Sequence, residues 1–152
     1  MNTANKTKFH LDNSKIALRY WMTVPPENVM PQLGFWFNHR GNEPVNCGTI
    51  ACFGGWCSVM PEFVALGVSS DPMYGGAPRI KKGLHKDDLG VSKFMFGCKD
   101  MFAPSVEFLD SFYCEYDRTA PKECTDHELV QHRIIQNIKR LEYKLSSRFF
   151  PL

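Results

Sequence analysis

Residues Thr125–Ser146 read TDHELVQHRIIQNIKRLEYKLS, and this stretch decides the fold class. Val130, Ile134, Ile138, Leu141 and Leu145 follow one another at steps of 4, 4, 3 and 4. Such steps return to one side of a helix with 3.6 residues per turn, so they predict an amphipathic helix over 126–146. Thr125 and Glu128 form the T-x-x-E pattern that satisfies the orphan N–H groups of a first turn. Arg133, Lys139, Arg140, Glu142 and Lys144 are expected on its outer, solvated face.

Moving toward the N-terminus, the elements shorten. Ile16, Ala17, Tyr20, Trp21 and Val24 share a helical face, with Asn13 or Ser14 as the cap and Pro25-Pro26 as the stop. Met1 to Asp12 reads as a polar lead-in. Thr49 is placed to cap a helix carrying Ile50, Phe53, Trp56, Cys57 and Met60, interrupted at Pro61. Ser92 is placed to cap another, anchored by Met95, Phe96, Met101 and Phe102. Glu107 to Tyr116 is a short helix or a strand. Residues 69–83, SSDPMYGGAPRIKKG, read as a flexible loop. The summed expectation is an all-α protein: a small irregular helical domain, 1–152, with a long C-terminal amphipathic helix. A chain of 152 residues suits one such domain.

Composition narrows the function classes. With 43% hydrophobic and 22% charged residues, the chain has enough apolar surface to fold, which excludes a disordered profile. A net charge of +2 sets up no strong field and argues against nucleic acid as a partner. The start lacks an apolar leader, and no apolar run approaches the roughly 20 residues that cross a bilayer. The expectation is a soluble, cytoplasmic protein without a membrane partner. In that compartment the six cysteines are read as thiols, which bury like small hydrophobes.

The order of several motifs is also informative. Gly34-Phe35-Trp36 is followed by Cys47-Gly48-Thr49-x-x-Cys52-x-x-Gly55-Trp56, then Leu89-Gly90-Val91-Ser92, Met101-Phe102 and the Thr-capped last helix. This resembles an uncharacterised family of small bacterial and phage proteins with a C-G-T-x-x-C-x-x-G-W core, from about Ser14 to Lys144. The resemblance implies a fold and a phage origin, hence a host cytoplasm, but no activity. Gly54, Cys57 and the glycine-rich insert before Leu84 depart from the pattern.

Three features could carry chemistry. Cys47 and Cys52 are the candidate nucleophiles, because a thiol in the first turn of a helix gains thiolate character. A base would have to come from His10, His39, His85, His127 or His132, none placed by motif. The alternative is that Cys47, Thr49, Cys52, Gly55 and Trp56 are structural core. Zinc has little support: Cys52 and Cys57, five apart, diverge by roughly 140° on a helix. No other cofactor is implied. Gly75, Gly76, Arg79, Lys81 and Lys82 form the candidate ligand-binding set, since glycine frees backbone N–H groups and the cations suit an anion. Phe149-Phe150, beyond the last helix, is a candidate docking point.

No hydrolase, zincin, P-loop or dinucleotide motif occurs. The leading expectation is therefore a non-enzymatic binding protein, plausible as a phage product, that engages a host protein or sequesters a small anionic or nucleotide ligand against host defence. The alternatives are a cysteine-dependent enzyme using Cys52 or Cys47 with a histidine, and a structural protein acting as a homodimer.

Overall fold

In the computed structural model, residues 2–29, 37–38, 50–71, 77–80, 88–103 and 114–149 are described. They are mostly helical. α1 spans Thr3–Trp21, β1 Phe37–Asn38, β2 Ile50–Ala51, α2 Phe53–Cys57 and α3 Pro61–Ala65. β3 (Val68–Asp71), β4 (Ala77–Ile80), α4 (Asp88–Phe96) and α5 (Asp126–Phe149) follow. β1 pairs antiparallel with β2, and β3 with β4. α1 packs along α5 and against α4, and this three-helix contact organises the molecule. No helix among the described residues is long and apolar enough to cross a membrane.

α5 begins where its cap predicts. The Thr125 hydroxyl accepts from the Glu128 N–H at 3.2 Å and lies 3.1 Å from the Glu128 carboxylate. Val130, Ile134 and Leu141 are buried as the spacing requires. Arg133 is not on the outer face. It lies one helical turn from the buried Val130 and Asn137, and its side chain is 2% exposed. The burial is tolerated because Asp117 faces it: Arg133 Nε and Nη2 donate to the two Asp117 oxygens at 2.7 and 2.6 Å, and Nη1 donates to the Ala103 carbonyl. Arg140 is also drawn inward and is only half-exposed.

The first helix starts ten residues earlier than Asn13, at Thr3, so residues 3–12 are helix and not a lead-in. Asn2 is the cap, its side chain accepting from the Asn5 N–H at 2.8 Å. Asn13 and Ser14 lie mid-helix and buried. Each has a partner: Asn13 donates to the Met95 carbonyl at 3.0 Å, and Ser14 to the His10 carbonyl at 2.8 Å.

Ser92 likewise sits inside α4 and not at its start. Its hydroxyl donates to the Cys98 carbonyl at 2.5 Å and accepts from the Met101 N–H at 3.2 Å, closing the turn after the helix. The stretch read as loop 69–83 contributes most of a hairpin, with Ser69 opposite Arg79 and Asp71 opposite Ala77. The helix expected from Thr49 begins later, after Cys52, and Met60 starts a separate one at Pro61. Proline fits that first helical position because its missing N–H would have no partner there.

The core lies between α1, α2, α4 and α5. Trp21 meets Phe53 edge-on at 5.3 Å, and Phe53 stacks on Phe96 at 5.8 Å. Phe63 and Met101 are wholly buried beside them. His127 stacks on Trp21 at 5.0 Å. Trp21 Nε1 donates to the His127 carbonyl at 3.0 Å, and His127 Nε2 lies 3.1 Å from the Trp21 carbonyl. That reciprocal pair pins the end of α1 to the start of α5.

Candidate functional site

The residues expected to bind or react divide into two groups. Cys47, Thr49, Gly75, Gly76, Lys81 and Lys82 lie outside the described residues, as do His39, His85 and Phe150. The others are held by secondary structure. Cys52 precedes α2 as its capping residue, 7% exposed, and is not in the helical third position expected of it. Gly55 and Trp56 lie within α2 and are buried, and Trp56 Nε1 donates to the Asn28 carbonyl at 3.1 Å. Arg79 is a half-buried member of β4. His132 Nε2 lies 2.9 Å from the Thr119 hydroxyl and 3.0 Å from the Tyr116 carbonyl. Among the described residues, no group of three or more His, Cys, Asp and Glu could hold a metal ion.

A different place gathers the chemistry. The first half of α1, α4 and the second half of α5 border a cleft of about 710 Å³. That volume falls in the range that accepts a small organic ligand. The hollow beside Arg133 offers about 20 Å³, room for a single water.

Helical spacing builds the cleft's charge. Lys6 and His10 stand four apart on α1, and Arg140 and Lys144 four apart on α5, so each pair shares a face. Lys93 of α4 completes the lining cations. No Asp or Glu is among the described lining residues. Other surface cations do have acids: Lys8 pairs with Asp12 at 2.7 Å, Lys15 with Glu142 at 3.7 Å and Arg19 with Glu62 at 4.0 Å. Among the described residues, no carboxylate forms an ion pair with Lys6, Lys93, Arg140 or Lys144.

Arg140 is the most constrained of these. One Nη2 hydrogen-bonds the Gly97 carbonyl at 3.2 Å and the Asn137 Oδ1 at 3.0 Å. Its Nε is buried and has no hydrogen-bond partner among the described residues. A buried donor without an acceptor costs free energy, while the rest of the guanidinium borders the cleft.

His10 forms the floor. Burial pushes its pKa below the ordinary 6.5, and Lys6, Arg140 and Lys144 lower it further, opposed by a hydrogen bond to the Phe94 backbone. The imidazole is therefore neutral at pH 7. Gly97 makes room for it. Its φ of +68° suits glycine, and a Cβ there would stand 2.6 Å from His10 Nδ1. Phe9 and Phe94 meet edge to face at 5.4 Å and give the cleft an aromatic wall.

Sequence reasoning missed this site for an identifiable reason. Lys6, Phe9 and His10 read as a polar lead-in because no apolar periodicity marks them, and Arg140 and Lys144 read as a solvated face because they are charged. The available signal is the i, i+4 spacing of basic residue types on two helices, Lys6 with His10 and Arg140 with Lys144. No family model, no curated protein and no solved structure matches the chain.

Proposed function

We propose that the protein binds a small phosphorylated ligand bearing a flat ring, such as a nucleotide, in the cleft between α1, α4 and α5. The observation that carries this reading is the cleft's lining: four Lys and Arg side chains, with no acid among the described residues, beside two phenylalanines. Charge-assisted hydrogen bonds from Arg140 and the lysines suit phosphate oxygens. An aromatic wall suits the face of a base. The role is binding. The cleft offers a histidine and cations that suit holding an anion.

The test is calorimetry on the purified chain with ATP, AMP and inorganic pyrophosphate, at concentrations up to about 1 mM, where even weak sites register. The wild type is expected to bind a nucleotide more tightly than pyrophosphate. Arg140→Gln and Lys144→Ala are each expected to weaken binding about tenfold or more, the loss of one charged hydrogen bond. Equal affinity for pyrophosphate overturns the aromatic part of the reading. No binding of any probe, or binding indifferent to both substitutions, overturns the site.

A further inference from the structure

Two arginines of α5 turn inward, and only one of them lines the cleft. Arg133 and Arg140 stand seven residues apart, close to two full helical turns, so they leave the helix on nearly the same side. Arg133 ends against the Asp117 carboxylate, which accepts from it at 2.7 and 2.6 Å and balances its charge. Arg140 borders the cleft, and the acceptors that hold it there are both uncharged. Its Nη2 donates to the Gly97 carbonyl at 3.2 Å and to Asn137 Oδ1 at 3.0 Å. No carboxylate among the described residues forms an ion pair with it. We propose that Asn137 is a positioning residue for the anion site: it fixes Arg140 at the cleft through a neutral acceptor, which leaves the positive charge for the phosphate of the ligand. The inference rests on the proposed binding of a phosphorylated ligand in that cleft.

The neighbours of Asn137 dictate which way its amide faces. Ser14 spends its proton on the His10 carbonyl at 2.8 Å, so its oxygen is left to accept. The Phe96 carbonyl can only accept. Both lie 3.0 Å from Asn137 Nδ2, which is therefore the donor end of the amide. The oxygen end then faces two donors, the Tyr116 hydroxyl at 2.8 Å and Arg140. Turning the amide over would set its oxygen against two acceptors and its NH2 against the guanidinium. Asn137 is wholly buried, and a reversed amide would carry the cost of unpaired buried groups. Helices α1 and α4, together with the 3-10 turn Glu115–Thr119, thus fix the oxygen that fixes Arg140.

A fixed acceptor matters because arginine is long and flexible. An arginine free to sample its rotamers loses that freedom when it grips a ligand, and the loss is subtracted from affinity. A guanidinium already held in place has lost it on folding. A carboxylate at position 137 would hold Arg140 as firmly, but it would take up part of the charge that phosphate needs. Arg133 with Asp117 shows that alternative on the same helix, with both side chains buried and the charges matched.

The experiment joins side-chain NMR relaxation to calorimetry with ATP, both on the full chain. In the ligand-free wild type the order parameter of the Arg140 Nε–H is expected at about 0.85, as for rigid backbone. Asn137→Ala should bring it below about 0.6. The same variant should weaken ATP binding about tenfold, the effect expected of losing Arg140 itself. Asn137→Ala combined with Arg140→Gln should bind no worse than Arg140→Gln alone, because one residue acts through the other. Losses that add would reduce Asn137 to a structural role. Asn137→Asp keeps the shape and the acceptor. It should leave Arg140 rigid yet weaken ATP binding about tenfold, a split that lost packing would not give. Should Asn137→Ala fail to fold, the wild type and Asn137→Asp still decide. A wild-type order parameter below about 0.6, or ATP binding unchanged in Asn137→Asp, overturns the proposal. If the wild type binds no ATP, the anion site falls and this role with it; if it binds ATP with a mobile Arg140, only the positioning role falls.

Discussion

At the scale of single residues, Gly97 links the backbone to the cleft. Its left-handed φ of +68° and the His10 ring 2.6 Å from a would-be Cβ leave no space for alanine. Gly97→Ala should destabilise by about 1–3 kcal/mol, the range for a non-glycine residue forced into that region. Urea denaturation checks it. An unchanged midpoint would mean that the turn relaxes freely. The same variant should displace His10 and weaken nucleotide binding. Arg133 teaches the limit of reading charge as surface. It stands three residues after Val130 and four before Asn137, at the edge of the apolar stripe, where its charge argues for the outside. The missing information was Asp117, whose side chain is 1% exposed and lies on another element. Such a pairing depends on a tertiary contact that periodicity does not contain.

At the scale of elements, α5 was legible and the beginning of α1 was not, for one physical reason. α5 buries Val130, Ile134 and Leu141, which hydrophobic periodicity detects. α1 buries Thr7, His10, Asn13 and Ser14 at equally helical intervals. These residues favour caps and turns in isolation, because their side chains compete for backbone hydrogen bonds. Here they form a polar seam against α4 and α5, centred on Asn137. The Asn137 amide donates to Ser14 Oγ and to the Phe96 carbonyl, both at 3.0 Å. Its oxygen accepts from the Tyr116 hydroxyl at 2.8 Å and from Arg140 at 3.0 Å. Asn137→Leu keeps the volume but leaves several buried groups unpaired, each worth about 1–3 kcal/mol. A total loss of at least about 3 kcal/mol in chemical denaturation is expected, since the network acts as a unit. A loss below about 1 kcal/mol would show that water replaces the amide.

At the scale of the whole molecule, a net charge of +2 concealed a segregated charge distribution. Lysines elsewhere on α1 are paired with acids, while those at the cleft have none among the described residues. Placing Lys6 beside Lys144 required knowing that α1 lies along α5, and no local pattern encodes that. The consequence is a pH dependence whose sign is fixed by His10. Burial is the main cause lowering the His10 pKa, Lys6, Arg140 and Lys144 add to it from α1 and α5, a hydrogen bond to the Phe94 backbone opposes them, and Lys93 of α4 lines the same cleft. Its folded pKa therefore lies below 6.5, the unfolded value. Between those two values the unfolded chain binds more protons, so stability falls as pH falls through that window. Above 6.5 this contribution is fully present. A bound phosphate reverses part of the effect, because it offsets the charge that His10 acquires. Nucleotide affinity should accordingly rise as pH falls, while the stability of the ligand-free protein drops. His10→Gln should flatten both trends relative to wild type, which separates His10 from the other titrating groups. Urea midpoints and calorimetry at about pH 7.5 and about pH 5.5 measure the two slopes. Opposite slopes that both flatten in His10→Gln would tie the buried imidazole to the anion site. Parallel slopes, or trends that survive the substitution, would remove His10 from it.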